Sequence, residues 1–256
     1  MKLGQFQQKD KIFHGIIDGK AVYPIKGNIF GNFKRSSKGI SLDKIKFLPP
    51  TFPGKIVAVG LNYIDHAKEL GMTIPSNPIL FLKPSSSAAG HLANIIYPVS
   101  SKRVDYEAEL GVVIKREAYK IKRQEVNSYI LGYTCANDVT ARDLQKSDGQ
   151  WTRAKSFNTF CPFGPWIFIP EKGFNPNHLQ IQARVNDRIK QDSNTNNFIF
   201  PVHHLIEFIS AVMPLFPGDL VITGTPKGIG PIKPGDKIDI IIEEIGQLRN
   251  FCIKEN

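Results

Sequence analysis

Three carboxylate side chains lie in two short segments of this sequence. Glu107 and Glu109 belong to RVDYEAELGVVIK, and Asp138 belongs to CANDVTARD. The first segment alternates apolar and polar residues and then turns apolar, which predicts a strand. Side chains at positions i and i+2 of a strand point the same way, so Glu107 and Glu109 are expected to converge on one face. Two like charges this close need a positive partner, and oxygen ligands favour a hard cation, so the pattern predicts Mg²⁺ or Mn²⁺. A solvated strand face with Glu-x-Glu and no metal is the alternative.

A second candidate pair is His66 and Glu69, in the segment NYIDHAKELG. The segment predicts one or two helical turns that end at Gly71. Residues three apart lie on one helix face, so the two side chains can meet. A surface pair worth a few tenths of a kcal/mol is the alternative to a chemical role.

Arg142 and Gln145 follow Asp138 at +4 and +7, in a segment (TARDLQKSD) that predicts a short helix. This spacing places both side chains on one face of the helix, and that face is expected to point towards the predicted metal site. The anionic tail of a substrate is one partner for the Arg142 guanidinium. A structural salt bridge to Asp143 or Asp105 is the other.

Thr225 lies in TGTPKGIG, and its hydroxyl could donate to a substrate carboxylate. The glycines of this segment resemble a P-loop only superficially. They lack the Gly-x-x-x-x-Gly-Lys-Ser/Thr spacing, so nucleotide binding is rejected.

The composition is that of an ordinary globular protein. Of 256 residues, 41% are hydrophobic and 22% are charged, and we expect no membrane span because no apolar run approaches the required length of about 18 residues. The sequence contains three cysteines without Cys-x-x-Cys spacing: Cys135, Cys161 and Cys252. We expect them to be reduced and buried, and we expect the protein to be cytoplasmic. The formal charge of +10 is spread over scattered lysines and arginines, so we expect no nucleic-acid partner. A lysine-rich composition without a functional role is the favoured explanation of this charge, and a positive field that attracts small anionic substrates is the alternative.

The chain divides near a proline-rich stretch. Residues 1–52 are predicted to form a small N-terminal β domain, with a hairpin at Asp18-Gly19 and a loop from Gly27 to Gly39, and residues 53–256 to form the catalytic domain. Later segments predict many strands and few helices, with an amphipathic helix at Pro201–Met213. The fold class is therefore α+β and β-rich, a roll or sandwich.

Six motifs in order, VGLNYIDHAKE, ILFLKP, DYEAELGVVI, YTCANDVTARD, WTRAKSF and ITGTPKGIG, resemble the fumarylacetoacetate hydrolase family from about Lys55 onward. The resemblance implies a mixed β-sandwich roll, a homodimer, and a divalent metal held by Glu107, Glu109 and Asp138. The first residues are similar to the small N-terminal domain of family members known as 2-hydroxyhepta-2,4-diene-1,7-dioate isomerases or decarboxylases.

The resemblance also implies roles for three further side chains. His66 would be a general base oriented by Glu69, on a mobile segment that closes over the metal. Lys155, placed after a strand-like segment, would stabilise an enolate oxygen, and both burial and the metal are expected to lower its pKa. Ser193 stands where the family often has glycine, which leaves the local loop conformation open.

These implications lead to one mechanism with several outcomes. A small anionic 2-oxo acid would chelate the metal through its C1 carboxylate and C2 oxygen, and the metal would stabilise an enolate. We expect isomerase, tautomerase or decarboxylase chemistry on a small 2-oxo or 2-hydroxyenoic (di)acid. Acylpyruvate hydrolysis is the first alternative. A metal-dependent oxo-acid-binding protein without turnover is the second, although the His66, Glu69 and Lys155 set argues against it.

Overall fold

The computed structural model describes residues 1–255, and most of its regular structure consists of strands. The strands are, in chain order, β1 (Lys2–Gln8), β2 (Lys11–Asp18), β3 (Ala21–Gly27), β4 (Phe33–Arg35), β5 (Ile40–Ser41), β6 (Lys46–Leu48), β7 (Ile56–Gly60), β8 (Ile79–Lys83), β9 (Ala88–Ala89), β10 (Asn94–Tyr97), β11 (Val104–Tyr106), β12 (Ala108–Ile114), β13 (Ile130–Asn137), β14 (Thr140–Ala141), β15 (Cys161–Phe168), β16 (Gln180–Val185), β17 (Arg188–Asn194), β18 (Leu220–Ile222), β19 (Gly230–Ile232), β20 (Lys237–Ile242) and β21 (Gly246–Lys254). The helices are α1 (Ile64–Glu69), α2 (Arg142–Asp148), α3 (Thr152–Lys155) and α4 (Val202–Val212), with 3₁₀ turns at Leu42–Lys44, Ser85–Ser87, Arg123–Ser128 and Thr195–Asn197.

Three sheets organise these strands. The main sheet has the order β4-β3-β2-β1-β15-β13-β12-β18-β7-β8, with β5 on β3, β6 on β1 and β9 on β15. A second sheet runs β10-β21-β20-β16-β17, and a small third sheet runs β14-β11-β19. Most pairs are antiparallel, but β7 is parallel to β18, β10 to β21 and β9 to β15, so the architecture is mixed.

The second sheet packs on the centre of the main sheet, where it covers β12 and β13. The core between them contains Leu110 and Val112 of the main sheet with Ile181 and Ile240 of the second. Val113 of β12 belongs to a second apolar cluster. Every residue of β12 is buried, which explains why this strand is almost continuously apolar.

The first strands continue the main sheet, because β1 pairs with β15 (Leu3↔Ile167). The predicted hairpin forms between β2 and β3 around Gly19. The prediction of a loop over residues 27–39 is wrong in part: β4 returns along β3 after a tight turn in which the Asn28 amide donates to the Asn32 carbonyl. The domain division at residue 52 stays a prediction.

The predicted fold class, α+β and β-rich, is confirmed. The helix predicted at Pro201–Met213 is α4, with buried Val202, Leu205, Ile206 and Ile209 on its apolar face. No helix among residues 1–255 has the length and apolar character needed to cross a membrane. The three cysteines are free and buried, as expected.

Candidate active site

The three carboxylates meet where β12 and β13 adjoin. Glu107 lies between β11 and β12, at the point where the chain leaves the small sheet for the main one. The predicted single strand is therefore wrong at this residue: the Glu107 amide donates to the Asn137 side-chain oxygen (2.9 Å) instead of a ladder carbonyl. Ala108 faces Asn137 across the pair, and the Asp138 amide donates to the Glu107 carbonyl (2.9 Å). This register sets Asp138 beside Glu107.

One ligand oxygen from each of Glu107, Glu109 and Asp138 lies within 4.8 Å of the other two. Their exposed fractions are 6%, 1% and 1%. Burial, together with the Asp138 and Glu107 charges, raises the pKa of Glu109 well above its usual value. Burial also opposes ionisation of Glu107, but Lys155 and Arg142 outweigh it and lower its pKa. Three hard oxygen donors this close to one another fit a divalent cation.

Two buried lysines hold Asp138. The Lys155 ammonium donates to Asp138 Oδ2 (2.5 Å) and Glu107 Oε2 (3.0 Å). Lys155 ends α3, so the prediction that it follows a strand-like segment is wrong. Burial lowers the pKa of Lys155, as expected, but the Asp138 and Glu107 carboxylates outweigh burial and raise it overall. Lys83, at the end of β8, donates to Asp138 Oδ1 (2.5 Å) and to the Val139 carbonyl (3.2 Å).

Arg142 is enclosed by acceptors. Its Nε donates to Asp105 Oδ2 (2.9 Å), one terminal nitrogen donates to Glu107, and the other donates to Gln145 Oε1 (2.6 Å). The salt bridge to Asp105 is therefore present, whereas Asp143 instead accepts from Ser101 and the Lys102 amide. Binding of a substrate tail by Arg142 or Gln145 stays a prediction.

Helix α1 brings His66 to the site, with Glu69 behind it. His66 Nδ1 lies 2.9 Å from Glu69 Oε2, and the His66 side chain is 8% exposed. A carboxylate only accepts hydrogen bonds, so Nδ1 carries the hydrogen and Nε2 has the lone pair. The Gly228 amide donates to Glu69 (3.0 Å), which fixes the carboxylate.

The Ser193 position also contacts α1. Ser193 Oγ donates to Asp65 Oδ2 (2.7 Å), and it accepts from the side-chain nitrogen Nδ2 of Asn197 (3.2 Å). Ser193 lies in β17, so the position that the sequence left open has an extended conformation and anchors the helix that carries His66.

The TGTPKGIG segment supplies two contacts on the other side of the triad. The Gly224 amide donates to Glu109 Oε2 (2.7 Å). Gly224 has φ +92° and leaves no room for a Cβ, which would lie 2.7 Å from the Asn62 Cβ, so glycine is required there. Thr225 Oγ1 accepts from Gln191 Nε2 (2.8 Å), which leaves its hydroxyl hydrogen available to another acceptor.

These residues surround one cavity of about 270 Å³. Eight of the nine predicted site residues line it, and the ninth, Glu69, contacts His66: the lining residues are His66, Glu107, Glu109, Asp138, Arg142, Gln145, Lys155 and Thr225. The sequence reasoning assigned no role to Lys83, Gln191 or Asn137. A lysine inside the apolar strand ILFLKP was the one available signal for Lys83.

The fold and the site together define a β-rich sandwich with an acidic, cavity-lining centre that can hold a divalent metal. Residues 55–253 match the family model described as fumarylacetoacetate (FAA) hydrolase C-terminal, and residues 1–50 match the model described as Rv2993c-like, N-terminal. The chain belongs to the fumarylacetoacetate hydrolase family.

Named relatives of the chain carry out different reactions. The mitochondrial oxaloacetate tautomerase Fahd2a of Rattus norvegicus is 43% identical over 223 residues, which cover 84% of this chain and 71% of that protein. The crystal structure of 2-hydroxyhepta-2,4-diene-1,7-dioate isomerase from Mycobacterium marinum has a TM-score of 0.92 and 38% identity, and covers 100% of this chain and 99% of that one. A fumarylacetoacetate hydrolase from psychrophilic Exiguobacterium antarcticum has a TM-score of 0.86 and 30% identity, with both chains covered completely.

Proposed function

We propose that the protein is a divalent-metal-dependent enzyme that acts through an enolate on a small 2-oxo or 2-hydroxyenoic acid, as a tautomerase, isomerase or decarboxylase. The observation that carries this proposal is the convergence of three buried carboxylates, a buried lysine and an oriented histidine on one cavity. Members of the family with related activities, such as the rat tautomerase and the mycobacterial isomerase, support it.

Glu107, Glu109 and Asp138 would hold the cation, Mg²⁺ or Mn²⁺. Burial and the two neighbouring carboxylates raise the pKa of Glu109, so its ionised form is disfavoured without a cation beside it. A bound cation would stabilise that ionised form. When bound, the cation supplies Lewis-acid stabilisation of negative charge on a substrate oxygen.

His66 moves the proton. Its Nε2 lone pair is directed by the Nδ1 contact to Glu69, and the ring lines the cavity. A proton taken from C3 of the oxo acid and returned to another position gives tautomerisation or isomerisation. Glu69 stabilises the imidazolium that forms and keeps the ring oriented, a role that the Gly228 amide supports by fixing its carboxylate.

Lys155 and Thr225 bind the oxo-acid group. Lys155 provides a fixed positive charge beside the developing oxyanion, and its contacts to Glu107 and Asp138 hold the ammonium in place. Gln191 Nε2 donates a hydrogen bond to Thr225 Oγ1, so the hydroxyl hydrogen of Thr225 can be donated to a substrate carboxylate. Arg142 and Gln145 also line the cavity and add hydrogen-bond donors to those of Lys155 and Thr225.

Acylpyruvate hydrolysis is the second candidate, and the His66–Glu69 pair favours it. A histidine that lines the cavity and whose Nδ1 is held by a carboxylate can take a proton from water as readily as from carbon. Decarboxylation would need no such base. Loss of activity towards an acylpyruvate, but not towards oxaloacetate decarboxylation, in His66→Gln would separate the two reactions.

An oxo-acid-binding protein without turnover is the candidate from another class. Glu69→Gln distinguishes it from an enzyme, because Glu69 acts through His66 and does not line the cavity. Turnover lost with ligand affinity retained supports the enzyme. No change in either supports the binding protein.

Product analysis of the purified protein tests the proposal directly. Oxaloacetate, an acylpyruvate and a 2-hydroxydienedioate are each incubated with Mg²⁺ or Mn²⁺ and again with EDTA. Metal-dependent conversion of any of them supports the enzyme and identifies the reaction. Stoichiometric metal binding without conversion of any would contradict it.

We further propose a cytoplasmic homodimer without nucleic-acid partners. Free buried thiols fit a reducing compartment. Strand β8 ends the main path of the large sheet and exposes Ile79 (39%) and Leu82 (49%), so a second copy has apolar surface to cover. Light scattering in solution measures the mass, and a monomer would contradict the dimer.

A further inference from the structure

The cavity has two chemically different walls. The charged wall contains the carboxylate triad with Arg142 and Lys155. Five further lining residues are apolar and are here called the apolar wall: Leu70, Met72, Ile79, Phe81 and Trp151. Small-molecule sites commonly combine an apolar lining with a few placed polar groups, and this separation gives a bound substrate a direction.

The inner part of the apolar wall is closely packed. Phe81 of β8 and Trp151, directly before α3, meet edge to face with ring centroids 5.1 Å apart. The indole lies against Gly60, where an added Cβ would lie 2.8 Å from a Trp151 ring carbon. Glycine at position 60 is therefore what allows the indole to occupy this part of the lining.

The outer part follows α1. Leu70 and Met72 flank Gly71, whose φ of +62° reverses the chain at the helix end. The two side chains are 48% and 51% exposed, so they present apolar surface both to water and to the cavity. A ligand group that covers Leu70 and Met72 removes their apolar surface from water. This favours a ligand whose far end is a hydrocarbon and disfavours one whose far end is charged.

The cations that line the cavity already have carboxylate partners, and Lys155 Nζ also lies 5.1 Å from the centre of the Phe81 ring. Lys155 contacts Glu107 and Asp138, and Arg142 donates to Asp105, Glu107 and Gln145. Among the described lining residues, the apolar wall contributes no positive charge. A carboxylate placed against Leu70 or Met72, the outer part of this wall, would lose part of its water, and neither side chain offers it a positive charge.

We propose that the apolar wall selects oxo acids whose end remote from the 2-oxo acid group is uncharged or very short, and disfavours extended dioates. The inference rests on the proposed function, since it assumes that the 2-oxo acid end lies at the charged wall. A short diacid such as oxaloacetate keeps its second carboxylate near the charged wall. An extended dioate carries that carboxylate to Met72 and Trp151.

A matched pair of ligands tests this selectivity. Butanoylpyruvate and succinylpyruvate share the acylpyruvate head and the chain length, and differ in whether the far end is a methyl or a carboxylate. Binding of each to the Mg²⁺-loaded protein is measured by calorimetry and by competition against oxaloacetate. We expect butanoylpyruvate to bind at least about tenfold more tightly, as an unpartnered carboxylate on apolar surface predicts.

Charge added to the apolar wall should reverse the preference. Met72→Lys is expected to tighten succinylpyruvate binding about tenfold and to weaken butanoylpyruvate binding, whereas Met72→Gln, a neutral polar change of similar length, should not favour succinylpyruvate. Thermal unfolding checks that both variants fold. Equal affinities for the pair in the unmodified protein, tighter succinylpyruvate binding, or equal effects of Lys and Gln would each overturn the inference.

The two proposals fail in different ways. Metal-dependent oxaloacetate turnover with a reversed ligand preference would overturn only the selectivity of the apolar wall. Absence of turnover together with absence of binding by oxaloacetate and both acylpyruvates would overturn the proposed function and this inference with it.

Discussion

Lys83 and Asp138 form a fully buried ion pair, with Lys83 Nζ 2.5 Å from Asp138 Oδ1 and side-chain exposures of 0% and 1%. Lys155 takes the other oxygen of the same carboxylate. Asp138 is thus held at both oxygens by lysines from β8 and α3, which lie 55 and 17 residues away in the chain. A candidate metal ligand is oriented before any cation is bound, which reduces the cost of arranging the site.

Lys83→Met is expected to lower the free energy of unfolding of the metal-free protein by about 3 kcal/mol, because it leaves a buried carboxylate with one oxygen unpaired. Added Mn²⁺ should recover part of this loss, since the cation supplies the missing positive charge. Urea unfolding in EDTA and in Mn²⁺ measures both effects.

The matched control is Lys55→Met. Lys55 Nζ also lies 2.5 Å from a buried aspartate, Asp219, but that pair is away from the cavity. Its loss should destabilise the protein equally with and without Mn²⁺. Recovery by Mn²⁺ in both variants, or in neither, would contradict the role given to Lys83.

The two glutamates of the triad should respond differently to neutralisation. Glu107→Gln removes the charge that Arg142 and Lys155 stabilise, so the metal-free protein should lose about 2 kcal/mol of stability. Glu109→Gln removes a charge that burial and neighbouring carboxylates disfavour, so it should cost no stability. Urea unfolding in EDTA gives both values.

Metal affinity should fall on the order of 100-fold or more in both glutamine variants, since each removes one anionic ligand. Calorimetric titration with Mn²⁺ measures it. A Glu109→Gln protein that keeps its affinity would remove Glu109 from the metal site, and equal destabilisation by the two changes would contradict the charge balance described for the triad.

The sequence predicted the triad better than its surroundings. Glu107, Glu109 and Asp138 follow from strand spacing and motif order, and those are local properties. The role of Lys83 was not predicted, because a lysine in a strand is buried only if a carboxylate elsewhere neutralises it. The carboxylate that does so, Asp138, comes 55 residues later in the chain. Helix α3 has only 4 residues, too few to show a helical period, so the position of Lys155 was misassigned.

The role of Arg142 shows a different limit. The spacing correctly predicted that the Arg142 side chain is directed towards the carboxylates. It did not distinguish Asp105 from Asp143 as the salt-bridge partner of Arg142. Pairing of β11 with β14 decides between them, because it sets Asp105 opposite Thr140, close to the start of α2. Strand register is a property of the folded sheet, and sequence spacing alone does not determine it.

Ser193→Ala should weaken the attachment of α1, because it removes the hydroxyl that donates to Asp65 (2.7 Å). We expect hydrogen exchange over residues 64–72 to become faster and kcat/KM to fall about two- to tenfold, the effect of about 1 kcal/mol. Metal affinity should not change, since the triad lies on other elements. Ser128→Ala, on an exposed 3₁₀ turn, is the control and should alter neither quantity. Unchanged exchange in Ser193→Ala would mean that the Asp65 contact does not hold the helix.

His91 should make the stability of the protein depend on pH below neutrality. Its Nδ1 accepts from the Arg249 amide (3.0 Å), and burial, with the Arg249 charge, lowers the pKa of His91 to about 4. Between pH 6.5 and about 4 the unfolded chain therefore binds a proton that the folded protein does not, so stability falls as the pH falls through this window. A shift of this size, reduced for partial exposure of the ring, corresponds to about 2 kcal/mol.

His91→Asn keeps an acceptor for the Arg249 amide but has no titrating group, so this part of the pH dependence should disappear. Urea unfolding of both proteins at several pH values between 4 and 7.5 measures the difference, and His178→Asn, at an exposed position, serves as the control. The comparison is informative because His91 lies outside the cavity, so neither metal nor substrate enters its titration. A His91→Asn protein with the same loss of stability on acidification would show that other groups dominate, and that burial of the imidazole does not control the acid sensitivity of this fold.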